Sequence, residues 1–110
     1  MAYITLTPQD RPLTITAGGT HLGETHNAVE LSEGSYPPML YIPRADVNMS
    51  LLEKTTRQST CPHKGLCSYY SIKTAKGLLE NAVWSYEDPI TEVAAIAGHL
   101  AFYPDKVTLA

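Results

Sequence analysis

The tract Cys61-Pro62-His63-Lys64-Gly65-Leu66-Cys67-Ser68-Tyr69-Tyr70 gathers two thiols, an imidazole, an ammonium group and two phenols around one turn. Three chemistries are open to such a set. Cys61, His63 and Cys67, joined through the fold by His99, would supply four zinc-type ligands. Structural zinc usually sits between paired Cys-x-x-Cys knuckles, and the chain has none, so no metal and no cofactor is expected. The second chemistry is nucleophilic. Cations beside Cys61 favour its thiolate, and His63 would serve as base with its imidazole in hydrogen-bond reach. His99 is an alternative base, and a half-buried structural cysteine beside a surface histidine is the simpler counterpart. The third is anion binding. Lys64-Gly65 offers a charge and an approachable backbone, and Arg44 adds a fork that fits a carboxylate or phosphate. No phosphate loop or dinucleotide fingerprint accompanies them.

Charge is unevenly spread. The net charge of the 110 residues is −3, which argues against general nucleic-acid binding. Between Glu53 and Glu80, however, Lys54, Arg57, Lys64, Lys73 and Lys76 occur without an acidic residue. Such a segment would attract a small anion, or simply present lysines to water. Hydrophobic residues at 44% and charged residues at 17% describe one folded domain. No apolar run approaches the roughly 20 residues that span a bilayer. The opening residues lack a charged region followed by an apolar one, so a cytoplasmic location with reduced thiols is expected.

The elements that must position these groups read as short strands. Residues 1–12, with Pro8 and Pro12, read as a loosely held arm before a single domain at 13–110. Strands are expected at 13–16, 21–24, 28–31 and 39–42, with a proline-rich loop at 32–38. Pro43 can start one helical turn near Arg44. Irregular structure at 51–56 passes into a strand reaching Thr60. A hairpin runs out over 67–74, turns at Ala75-Lys76-Gly77 and returns over 78–86. Asp88 and Pro89 signal a short helix that Gly98 stops, and 100–103 and 106–108 close the chain. The fold class is mainly β, a small sandwich or open barrel.

With a three-residue loop, Thr74 faces Leu78, Tyr70 faces Ala82 and Ser68 faces Trp84. One hairpin face then carries Ser68, Tyr70, Ile72, Ala82, Trp84 and Tyr86. The other carries Cys67, Tyr69, Ser71 and Lys73. The aromatic face would be a pocket wall or an ordinary core.

The ordered set Tyr36-Pro37-Pro38, Tyr41-Ile42-Pro43-Arg44-Ala45-Asp46-Val47, Thr60-Cys61-Pro62-His63-Lys64-Gly65, Ser68-Tyr69-Tyr70-Ser71-Ile72, Glu80-Asn81-Ala82-Val83-Trp84-Ser85-Tyr86 and Ile96-Ala97-Gly98-His99-Leu100-Ala101-Phe102-Tyr103 closely resembles the DUF427 family. The resemblance implies a small β-rich domain of the β-tent kind. It also carries a nucleotidyltransferase-like label, for which the chain shows no paired metal-binding carboxylates.

The leading expectation is a domain that binds a small polar or anionic molecule beside the 61–65 turn. Tyr36, Tyr70, Trp84 and Tyr86 would be its walls, Lys64 and Arg44 its anion contacts, and Cys61 its rim. The alternatives are an enzyme with Cys61 as nucleophile and His63 as base, or a protein-interaction module. Neither nucleic acid nor membrane is an expected partner, and pairing of sheet edges leaves a homo-oligomer open.

Overall fold

Leu13, Ile15 and Ala17 alternate with Thr14 and Thr16, and the strand they form buries the apolar three. The same logic runs through most of the chain. A computed structural model describes residues 3–110 and is mainly β. Its strands are β1 (Ile4–Gln9), β2 (Leu13–Ala17), β3 (Thr20–Thr25), β4 (Ala28–Glu33), β5 (Met39–Tyr41), β6 (Leu52–Cys61), β7 (Gly65–Thr74), β8 (Gly77–Ser85), β9 (Ala101–Phe102) and β10 (Thr108–Leu109). They form three antiparallel sheets, in the orders β1-β4-β5, β10-β2-β3 and β6-β7-β8-β9, and among the described residues no barrel closes. A bridge between Ile42 and Leu100 links the first sheet to the third. Among the described residues no helix is long and apolar enough to cross a membrane.

β7 organises the molecule. Its six residues from Cys67 to Ile72 are all buried, the pattern of a strand covered on both faces. On one face Tyr70 and Ile72 meet Leu13, Ile15 and Leu22 of the β10-β2-β3 sheet, with Ile42, Val83 and Leu100. On the other, Cys67 and Tyr69 meet Leu31 and Tyr41 of the β1-β4-β5 sheet, with Tyr86, Val93 and Ile96. Side chains such as Ile15, Ile42 and Ile72 are fully buried, worth about 1.5–3 kcal/mol each against exposure.

Three expectations are corrected, and the short helix expected after Asp88 is found with a tighter geometry. The arm is a strand: Ile4 to Gln9 of β1 pair in unbroken register with Glu33 to Ala28 of β4, and Pro8 is tolerated because β1 lies at a sheet edge. Met1 and Ala2 lie outside the described residues. The irregular segment at 51–56 is a 3-10 turn at Met49–Leu51 running directly into β6.

The helix expected from Asp88 is a 3-10 helix at Thr91–Ile96, without a side-chain cap and interrupted at Val93. Six residues are too few for a stable α-helix, and Val93 and Ile96, three apart, both reach the second core. A 3-10 turn also forms at Arg44–Asp46 after Pro43. It packs so closely on β3 that a Cβ on Gly23 would lie 2.1 Å from the Asp46 carbonyl oxygen.

The hairpin register is the third correction. Its loop has two residues, so Thr74 faces Gly77, Lys73 faces Leu78 and Ile72 faces Leu79. Beyond a bulge at Glu80 and Asn81, Tyr70 faces Val83, Tyr69 faces Trp84 and Ser68 faces Ser85. The one-residue difference in loop length moves Trp84 and Tyr86 to the face of Cys67 and Tyr69, and leaves Tyr70 on the opposite one.

Candidate functional site

Strand alternation brings six aromatic side chains together over the second core. β5 contributes Tyr41, β7 Tyr69 and β8 Trp84. Tyr86 follows β8, Tyr103 follows β9, and Tyr36 lies in the loop after β4. Together with Glu33, Lys64 and Cys67 they line a cleft of about 280 Å³. The rings brace one another. Trp84 Nε1 donates to the Tyr41 hydroxyl at 3.2 Å, with the two rings edge to face at 6.5 Å. Tyr103 lies against Trp84 at 4.6 Å between centroids, and Tyr86 against Tyr41 at 6.5 Å. The Tyr69 hydroxyl shares a 2.8 Å hydrogen bond with Ser59. Burial pushes the Tyr41 phenol up to about 12 against the lowering effect of the Trp84 bond, and raises Tyr86 further. Both are therefore neutral hydrogen-bonding groups at physiological pH.

The cleft holds one ion pair. Lys64 Nζ donates to Glu33 Oε1 at 2.5 Å, with side chains 9% and 15% exposed. Burial pulls the lysine pKa down, but Glu33 and the neighbouring Cys61 outweigh it, so the ammonium is held above its ordinary value. It also lies 5.6 Å from the centre of the Tyr86 ring. The turn that presents Lys64 is closed by its N–H to the Cys61 carbonyl, and Gly65 follows at φ +112°, where a side chain would be strained.

The sequence-predicted ligand contacts divide into three places. Tyr36, Lys64, Trp84 and Tyr86 line the aromatic cleft. Cys61 is half-buried and packs against the core beneath it, outside the lining. Arg44 and Tyr70 are elsewhere, in a clamp centred on Glu87. Arg44 donates to the Gly98 carbonyl at 3.1 Å, to the Tyr70 hydroxyl at 3.2 Å and to Glu87 at 2.9 Å. Lys54 reaches the same carboxylate at 2.8 Å, and the Tyr70 hydroxyl donates to it as well. Burial alone would raise the Glu87 pKa, but the bonds from Lys54 and Tyr70 outweigh it and hold it below the usual range. Every arm of the Arg44 fork has an internal acceptor, so this side chain ties three segments together.

The His63 ring lies 5.2 Å from that of Tyr3, in a separate hollow with Ile90 and Glu92. His99 places Nδ1 3.2 Å from the Ala97 carbonyl oxygen. Cys67 is buried, and that burial raises its thiol pKa. Among the described residues no group of three or more His, Cys, Asp or Glu side chains converges. Tyr41, Tyr69, Tyr103 and Glu33 were missed as lining residues. Tyr41 sits in an all-apolar run from Met39 to Ile42 that gives no alternation to choose its face, whereas a two-residue hairpin loop would have pointed to Tyr69.

Fold and cleft together define a small mainly-β domain with an aromatic groove at its second core. The chain belongs to the DUF427 family: the family model described as "Domain of unknown function (DUF427)" matches residues 5–110. A search of the curated proteins finds no match.

Proposed function

We propose that this domain binds a small, flat, polar molecule in the cleft between Tyr41, Tyr86, Trp84 and Tyr103. The observation that carries the reading is six aromatic rings converging around one compensated ion pair. Aromatic walls favour a planar ligand by stacking and edge contacts. Lys64 and Glu33 side by side provide a donor and an acceptor on one edge, which fixes orientation without demanding a net charge. Pockets of this kind combine apolar walls with a few placed polar groups, and the volume suits a ligand of roughly one or two rings. The alternative with Cys61 as nucleophile has less support, since the His63 ring lies tilted against Tyr3 at 5.2 Å and His99 Nδ1 lies 3.2 Å from the Ala97 carbonyl oxygen.

Trp84 is the only tryptophan in the chain, so its emission reports on the cleft alone. Titration with flat neutral aromatic amides, benzamide being the simplest, is expected to change that emission saturably. Unchanged emission across the panel, with the protein folded, would refute the reading.

A further inference from the structure

The two cations expected to meet an anion already have internal partners, Lys64 in Glu33 and Arg44 in the Glu87 carboxylate that it shares with Lys54. A third cation stands beside the cleft, outside its lining, and among the described residues no carboxylate lies within salt-bridge distance of it. The Arg57 guanidinium lies 4.7 Å above the centre of the Tyr69 ring, and Tyr69 is a wall of the cleft. Among the described residues Arg57 belongs to none of the four ion pairs. We infer that the ligand of the aromatic cleft carries an anionic group, carboxylate or phosphate, and that Arg57 receives it while the ring stacks between the tyrosines and Trp84. This rests on the proposed function and adds the chemical class of the ligand.

Arg57 is placed there by a built device. The β6–β7 register shifts between Lys54 and Gln58, and the β7–β8 register shifts between Tyr70 and Ile72, so bulges flank β7 on both sides. The Thr55 hydroxyl donates to Asn81 Oδ1 at 2.6 Å and accepts from the Arg57 N–H at 3.2 Å, tying one bulge to the other. Asn81 holds φ +48°, a conformation unusual for a residue with a side chain, and its N–H reaches Ser71 Oγ at 3.0 Å. Bulges of this kind re-aim a side chain. Here the result is a guanidinium stacked on the rim of the groove with its forked donors free for a planar oxyanion. A polar hollow shared by Arg57 and Tyr103 continues outward past Asn81 and Lys106. Glu80 and Asp105 line it beside both Arg57 and Lys106, and what sets Arg57 apart is its contact with the Tyr69 ring of the cleft.

The test compares benzoate, phenyl phosphate and benzamide by following the single indole N–H resonance of Trp84. The expected result is that an anion binds roughly fivefold more tightly than the amide at low salt, a typical size for one partly exposed charge-assisted contact. That preference shrinks as salt is added. Arg57→Gln removes it, read as the ratio of anion to benzamide affinity within that variant, and Lys106→Gln leaves the ratio intact. Whichever of benzoate and phenyl phosphate gains more identifies the anionic group. Equal affinity for all three probes in the unaltered protein overturns the role of Arg57 and leaves the cleft standing. A preference that survives Arg57→Gln but is lost in Lys106→Gln also overturns it. No movement of the indole resonance with any probe removes the cleft reading, and this inference with it.

Discussion

Tyr69 and Trp84 stand directly opposite each other across β7 and β8. This single pairing decides which aromatic rings share a surface. It places both with Tyr41, Tyr86 and Tyr103 over the second core, and it sends Tyr70 through the sheet to the Arg44 clamp. Had the hairpin closed one residue later, the cleft would lose its Tyr69–Trp84 wall.

Tyr41→Phe removes the acceptor of the Trp84 indole N–H. The expected cost is about 1 kcal/mol of unfolding free energy in a urea titration. The indole N–H resonance of Trp84 should move, since its partner is gone.

The same substitution has a pH signature. Tyr41 ionises at about 12 in the fold, against 10.0 for an ordinary phenol. Between those values the unfolded chain gives up the proton and the folded one keeps it, so stability falls as pH rises through that window. The two-unit gap corresponds to a loss of about 3 kcal/mol at most. Tyr41→Phe should make the fall shallower, with the raised Tyr86 phenol keeping part of it, measured as unfolding free energy at pH 9 to 12, and leave the profile below pH 9 parallel to the original.

Glu33→Gln leaves the Lys64 ammonium buried without its counterion. Stability should drop by about 3 kcal/mol, the lower end of the range for breaking a buried pair. The double variant Glu33→Gln, Lys64→Met should recover part of that loss. A double variant less stable than the single one would contradict this account of the pair.

Arg44→Lys cannot reproduce a fork that serves Gly98, Tyr70 and Glu87 at once. A loss of about 1–2 kcal/mol is expected in chemical denaturation, with benzamide binding in the cleft unchanged. Glu87 adds an acid signature. Its pKa is lower in the fold, so its contribution is present above the unfolded value of 4.5 and disappears as pH falls below it. Glu87→Gln should therefore weaken the acid dependence of stability, by a modest amount because the carboxylate is partly solvated.

Asn81→Gly should be milder than Asn81→Ala. Alanine at φ +48° keeps the strain and loses the Thr55 bond, whereas glycine loses only the bond. The difference is expected to be about 1 kcal/mol in thermal or urea unfolding.

The sequence was most legible where alternation is strict and turns carry glycine. β2, the Gly18-Gly19 turn, the strand into Ile42 and the stop at Gly98 all follow from local pattern. β1 was hidden because Pro8 reads as a breaker, and only its β4 partner at a sheet edge reveals the strand. The site was half legible. Tyr36, Lys64, Trp84 and Tyr86 announce themselves by residue type, but Tyr69 and Tyr70 are adjacent and chemically alike. Which of them enters the cleft depends on one residue of loop length and on a bulge at Asn81, and period-two reading across an uninterrupted hairpin sees neither. Arg44 was read as a ligand contact because its three internal acceptors come from positions 26, 43 and 54 residues away.

The central claim is that a flat ligand lies between Tyr41, Tyr86 and Trp84. The most direct test is to record intermolecular nuclear Overhauser contacts from saturating benzamide to the protein's ring protons. The account predicts contacts to Trp84, Tyr86 and Tyr103. Contacts instead to Tyr3 and His63, or to Leu40, Phe102 and Leu109 in the apolar groove on another side of the domain, would contradict it.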